Sequence, residues 1–170
     1  MDSRQIELLE GWQWDMKLLR DAHYASAVAA QKMNYWCGVP ATIFSVLAGT
    51  GILSMLGTDP PHWVSIILGL LSIASATLAS IQTVMRYSER AEQHRAAGAS
   101  FAAFSKEISQ KLVLPPIDDN KLSEWMTDFR ERWDKCSKSA PTIDSKILTK
   151  TLILINAKME EAKRAPAPNA

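Results

Sequence analysis

From Met33 to Thr58 the chain runs 26 residues without a single Asp, Glu, Lys or Arg, and after Asp59 a second run of 26, Pro60 to Met85, has none either, although His62 titrates. No other feature restricts the fold as strongly. A helix crossing the ~30 Å hydrocarbon layer of a bilayer needs about 20 mostly apolar residues, and each run exceeds that. Between them lies GTDPP (Gly57 to Pro61), a cluster that ends one helix and starts the next. The pattern predicts a transmembrane hairpin, roughly 35–56 outward and 62–85 back. The competing reading is a buried helical hairpin in a soluble bundle, because Ser, Thr, Gly and Ala are frequent in both runs. The flanks favour the membrane. Lys17, Arg20 and Lys32 precede the first run, Arg86, Arg90 and Arg95 follow the second, and the loop carries only Asp59. The positive-inside rule then places both termini in the cytoplasm. Tyr35, Trp36 and Tyr87 at the inner boundary and Trp63 at the outer one fit an aromatic belt.

The rest of the composition excludes more than it identifies. Nineteen basic and 18 acidic residues give a net charge of +1, which excludes a nucleic-acid binder working by bulk charge. With 47 % apolar residues the chain is not a disordered tail. Cys37 and Cys136 are too few and too far apart for a disulfide scaffold or a zinc cage, and on the cytoplasmic side they stay thiols. Residues 1–32 hold nine charges, so the first apolar run starts too late for a signal peptide.

Both apolar runs carry small-residue stripes. At about 100° per residue, Ser65, Gly69, Ser72, Ala76, Ser80 and Thr83 fall within an arc of roughly 80°. Ile66, Ile67, Leu70, Leu71, Ala74, Leu78, Ile81 and Met85 occupy the remainder. In the first run Gly38, Thr42, Ser45 and Gly49 form a small-xxx-small pattern that lets helices pack closely. The second stripe suits either helix packing or the lining of a pore. Two helices cannot enclose water, so a pore requires a homo-oligomer, and the lack of charge in the stripe predicts no ring of fixed charge. Pro40 suits a kink or hinge in the first membrane helix.

Outside the hairpin the sequence reads as all-α. Leu8, Leu9, Trp12, Met16, Leu19, His23, Ala27 and Ala30 share a face of an N-terminal amphipathic helix in 1–32, and Trp14 and Leu18 fall off it. Beyond Met85, Tyr87, Ala91, His94, Gly98, Phe101, Ser105, Ile108 and Leu112 form a heptad seam. With no Pro or strong breaker in between, the second membrane helix is expected to continue as one long helix and pack against the N-terminal one. LPPIDDN (Leu114 to Asn120) is a turn in which Asp119 or Asn120 caps a helix of roughly 120–138, faced by Leu122, Trp125, Met126, Phe129 and Trp133. SAPTID (Ser139 to Asp144) is a second break, and Asp144 caps a last helix faced by Ile147, Leu148, Leu152, Ile155 and Met159. The resulting plan is an N-terminal helix in 1–32, the hairpin in 33–85, a cytoplasmic helical region in 86–163 and a disordered tail in 164–170.

Catalytic chemistry is not encoded in any recognisable way. The chain has no GxGxxG, P-loop, HExxH, CxxC or nucleophile elbow, and His23, His62 and His94 lack metal-ligand spacing. The reading is therefore a non-enzyme without metal or cofactor. One cluster has the character of a site: Arg86, Arg90 and His94 recur every four residues just inside the membrane, with Arg95 beside them. Such a row either fixes topology and touches lipid phosphates or binds an anionic ligand at the inner mouth of a pore, where guanidinium groups suit phosphate.

The stretches LLRDAHYASAVAAQKMNYWCGVP, SVLAGTGIL and IQTVMRYSERAEQHRAAGASFAAFSKEIS, followed by a turn and a helix ending in APTID, resemble the SLATT domain. This is the two-transmembrane effector that associates with SMODS nucleotidyltransferases and SLOG sensors in bacterial conflict systems. Gln82 to Ile108 carries most of the likeness, with Gly38–Pro40 and Gly49–Gly51 adding to it. The resemblance implies an antiphage effector in the bacterial inner membrane. It implies a homo-oligomer such as a tetramer that opens a pore under a nucleotide or oligonucleotide signal made by a partner nucleotidyltransferase. A non-conducting two-span anchor that recruits a cytoplasmic partner is the alternative.

Overall fold

The computed structural model describes residues 2–57, 59–114 and 119–164, of which 91 % are helical, with no strand among them. Five helices follow in order: α1 (Ser3–Ser54), α2 (His62–Met85), α3 (Tyr87–Val113), α4 (Asp119–Ser139) and α5 (Ser145–Arg164). α2 takes the bounds expected for the second apolar run. Pro115 to Asp118 of the first expected turn, Thr58 of the loop and the APAPNA tail lie outside the described residues.

α1 differs from expectation. The amphipathic segment and the first apolar run are a single helix of 52 residues that passes through Pro40. The reason is a shared phase. Leu9, Trp12, Met16, Leu19 and His23 of the polar half lead without a slip into Ala27, Ala30, Asn34, Cys37, Ala41, Phe44, Ala48, Gly51 and Met55, all buried or half-buried. One continuous seam gives the chain no reason to stop between its two halves.

The opposite deviation occurs after Met85. Helices α2 and α3 are separate, divided at Arg86, whose backbone is left-handed at φ 48° and ψ 42°. Its N–H donates to the Gln82 carbonyl over 3.1 Å, closing α2, and its own carbonyl accepts from Arg90 N–H over 3.0 Å, opening α3. A left-handed cap is usually glycine or asparagine, so an arginine there gave no warning.

The chain divides into two compact units, Val28–Ala91 and Met1–Ala27 with Glu92–Ala170. The second has an aromatic core contributed by α1, α3 and α4: Leu9, Met16, Ala97, Phe101, Ile108 and Phe129 are buried together. Phe129 is its hub, stacked on Trp12 at 5.6 Å and meeting Phe104 at 5.3 Å and Trp125 at 5.2 Å. Such ring pairs add to the apolar area they bury. At the edge of this core the Glu107 carboxylate accepts from both terminal nitrogens of Arg132, at 2.7 and 3.0 Å, and from Trp125 Nε1 at 2.8 Å. The Arg132 hydrogen bonds hold the Glu107 carboxyl below its ordinary range. The seam of α3 lies inward as the heptads require, from Ala91 through Ile108.

The expected cap of α5 forms, with Lys146 N–H donating to Asp144 Oδ1 over 2.8 Å. On α5 itself Ile147, Leu152 and Ile155 are half-buried, while Leu148 and Met159 of the expected face are exposed. Thr151 fills the deepest position, its hydroxyl donating to the Ile147 carbonyl over 2.8 Å. Replacing the aromatic hub, Phe129→Ala, should lower the unfolding free energy of the detergent-solubilised chain by about 3–5 kcal/mol. Chemical denaturation followed by tryptophan fluorescence measures it, and a loss below about 1 kcal/mol would remove Phe129 from that role.

Candidate functional site

Within Val28–Ala91, the second half of α1 and α2 lie antiparallel. Asn34 meets Gln82, Ala41 meets Ser75 and Gly51 meets Leu68, so position rises on one helix as it falls on the other. Two polar contacts stitch an otherwise apolar seam. Gln82 Nε2 donates to Asn34 Oδ1 over 2.7 Å, and Ser75 Oγ donates to the Ala41 carbonyl over 2.8 Å. Gly38 and Gly51 permit the close approach. A Cβ at Gly38 would lie 2.9 Å from Gln82 Nε2, and one at Gly51 would lie 2.7 Å from a Leu68 methyl.

This seam uses a different set of residues from the one the first stripe suggested. Of Gly38, Thr42, Ser45 and Gly49, only Gly38 is half-buried against α2. Thr42, Ser45 and Gly49 are exposed, and nothing lies within 4 Å of a Cβ built on Gly49. The helices approach instead through Gly38, Ala41, Ala48 and Gly51, about a quarter-turn away on the wheel. Periodicity grouped these small residues on one face without saying which helix meets that face.

On α2 the residues facing α1 are Val64, Leu68, Leu71, Ser75, Leu78 and Gln82, each half-buried. The stripe Ser65, Gly69, Ser72, Ala76, Ser80 and Thr83 is about 120° round the helix from them at 100° per residue, and all six are exposed. Packing inside the chain therefore does not account for the stripe. A third face, with Ile66, Leu70, Ile73 and Val84, is bulky and exposed.

Both small stripes lie on the same side of the helix pair. In antiparallel helices a given rotation from the seam, followed N to C along each, arrives at one common side. Thr42, Ser45 and Gly49 stand on α1 in the same sense as Ser72, Ala76 and Ser80 on α2. A groove of about 430 Å³ along this side is lined by Thr42 and Ser45 from α1 and Ser75, Ala79 and Gln82 from α2. Several hydroxyls here donate to their own helix: Thr42 to the Gly38 carbonyl at 2.9 Å, Ser80 to Ala76 at 2.8 Å and Thr83 to Ala79 at 3.0 Å. Their protons are thus satisfied without water, while their oxygens keep acceptor capacity toward the exposed side.

The basic row is not assembled as its spacing suggested. Arg86 is ion-paired with Glu89, and Arg95 with Glu92 at 3.0 Å. Arg90 is exposed. His94 turns inward. It is 9 % exposed, and its Nδ1 lies 3.0 Å from Nδ1 of His23, which stacks on Phe101 at 5.3 Å. His94 therefore belongs to the heptad seam and not to a phosphate-facing row. The acids three residues from Arg86 and Arg95 were readable as pairing partners in the sequence; the histidine pair was not, since His23 and His94 are 71 positions apart.

The two ring nitrogens are within hydrogen-bond distance, and burial of both rings favours their neutral forms. Burial, with the His94 ring adding to it, pushes His23 down to about 4, and burial also lowers His94. Among the described residues no group of three or more His, Cys, Asp or Glu is placed to hold a metal. No family model, curated protein or solved structure matches the chain.

The histidine pair sets a pH dependence. A depressed folded-state pKa means the unfolded chain takes up protons first. The stability is then intact above the ordinary 6.5 and is lost as pH falls toward about 4. Denaturation midpoints between pH 7.5 and 4 should show this fall, and His23→Gln, which keeps a hydrogen-bonding side chain without a titrating ring, should flatten it. A wild-type midpoint that does not move across this range would contradict a buried neutral pair.

Proposed function

We propose that this chain is the subunit of a homo-oligomeric membrane channel, crossing the bilayer with the second half of α1 and with α2 and keeping both termini in the cytoplasm. The observation that carries the reading is the shared small-residue side of the helix pair. Residues of both apolar helices that are small and hydroxyl-bearing stand exposed together, separate from the bulky apolar face and from the seam between the helices. In a bilayer the bulky face suits lipid, and the small, hydroxyl-rich side suits neighbouring copies and a water path between them. The membrane assignment is supported by exposure. The stretches Ser3–Ser54 and His62–Val113, the second joining α2 to α3, are each long and apolar enough to span, and only 11 % and 6 % of their apolar windows are buried, whereas the core helix of a soluble protein would be mostly covered.

The likeness of Gln82 to Ile108 to the SLATT domain supports the biological role: an antiphage effector opened by a nucleotide-derived signal, acting by membrane depolarisation or cell arrest. For the anionic ligand, Arg86, Arg90 and Arg95 are all exposed, and Arg86 and Arg95 would exchange Glu89 and Glu92 for phosphate. His94 is withdrawn from that set because it serves the core. The non-conducting anchor draws its support from the same ion pairs, since arginines neutralised by neighbouring glutamates attract an anionic signal less.

Ion flux from liposomes loaded with a fluorescent reporter separates the two readings. The reconstituted chain should conduct, alone or with added nucleotides. Ser72→Trp, on the small side, should reduce flux at least tenfold, and Ile73→Trp, on the bulky face, should leave it within about twofold. A well-folded oligomer that never conducts would favour the anchor.

A further inference from the structure

Among the described residues Arg86 is the one non-glycine residue with a positive φ. Its position separates two stretches that would otherwise merge. The 24 residues of α2 before it and the 27 of α3 after it are helical without further break. Left-handed backbone at a residue with a Cβ is unfavourable and persists where its surroundings supply a compensating gain. Two such gains are visible. The Arg86 guanidinium lies at the C-terminal end of α2, where the carbonyl ends of the helix favour positive charge. Glu89, its ion-pair partner, lies in the first turn of α3, where the free N–H groups favour negative charge. Both gains exist only while α2 and α3 are separate helices. In a continuous helix neither end exists, and Arg86 adopts the unstrained right-handed conformation, in which arginine is a good helix former.

We propose that Arg86 is a two-state hinge. In one state it is left-handed and α2 ends; in the other it is right-handed and α2 and α3 form a single helix. The state it takes determines whether the assembled subunits conduct. This last part rests on the channel reading above; the hinge itself does not. Changes in the charge at Glu89 bias the hinge, and so does anything that draws the Arg86 guanidinium away from it, an anionic ligand included.

Two variants isolate the backbone term. Arg86→Gly and Arg86→Ala both remove the guanidinium, but glycine tolerates the left-handed state and disfavours helix, whereas alanine does the reverse. The ratio of separate to continuous helix should differ between them by about tenfold to a hundredfold. Electron–electron distance measurement reads this directly. Spin labels are placed at Ile66→Cys and Ala99→Cys in full-length protein with Cys37→Ser and Cys136→Ser, diluted with unlabelled chains in lipid nanodiscs. A continuous helix places the two positions about 50 Å apart, from 33 steps of ~1.5 Å, and the share of molecules at that distance is what the measurement reads. Arg86→Ala should enrich the ~50 Å population, Arg86→Gly should deplete it, and Glu89→Gln should move the wild type in the alanine direction.

Identical distance distributions for the glycine and alanine variants would overturn the hinge. Distributions that differ as expected while both variants conduct at the same rate would overturn its role in gating. If no variant conducts under any condition, the channel reading fails, and the distances still decide whether the hinge exists.

Discussion

The structure depends on one constraint: its most apolar helix has nowhere inside the chain to hide. α2 contains no buried residue, although it is uncharged from end to end. Apolar area exposed on this scale marks a surface that meets a membrane or another protein surface. That requirement explains why the backbone in this region is helical throughout, with its hydrogen bonds closed locally. It also explains why Thr42, Ser80 and Thr83 bond back to their own helices, why Ser75 reaches the Ala41 carbonyl, and why Gln82 and Asn34 satisfy each other across the seam. The aromatic core around Phe129 obeys a different rule. There, burial is achieved within the chain, and the remaining charges form surface pairs such as Glu107 with Arg132.

The small side of the helix pair follows from these two rules together. A helix in lipid gains little by burying leucine against leucine, so close contact selects small residues. If the exposed stripes existed only to bring α1 and α2 together, they would lie on the seam. They lie beside it, on both helices and on the same side, which is where a further helix or a water path would be met. Gly38 belongs to both surfaces, touching Gln82 while lining the groove with Thr42 and Ser45.

Much of this was legible in the residues, and the failures share a cause. Charge-free length set the bounds of α2, and the 4-3 spacing from Ala91 to Ile108 identified the inward face of α3. Asp144 marked the start of α5 through its short acceptor side chain. Periodicity reports which residues share a face, however, and not what covers that face. Thr42, Ser45 and Gly49 were grouped on one face whose neighbour periodicity does not name, and His94 fitted both an arginine row and a core seam until its partner His23 settled the matter. The two misplaced helix boundaries have a similar origin. At residues 27–34 composition changes sharply but the seam does not, so α1 continues; at Arg86 composition suggests continuity and only a backbone torsion breaks it.

The central claim, that the small side of the helix pair borders water inside an assembly while the bulky face meets lipid, is most directly tested by cysteine accessibility along α2. Single cysteines at Ser72, Ala76 and Ser80, and at Leu70, Ile73 and Val84, are introduced with Cys37 and Cys136 replaced by serine, and each reconstituted protein is treated with a charged, membrane-impermeant thiol reagent. The account predicts modification at 72, 76 and 80, with 70, 73 and 84 protected by lipid. Rapid modification at 70, 73 and 84 with silence along the stripe would contradict it.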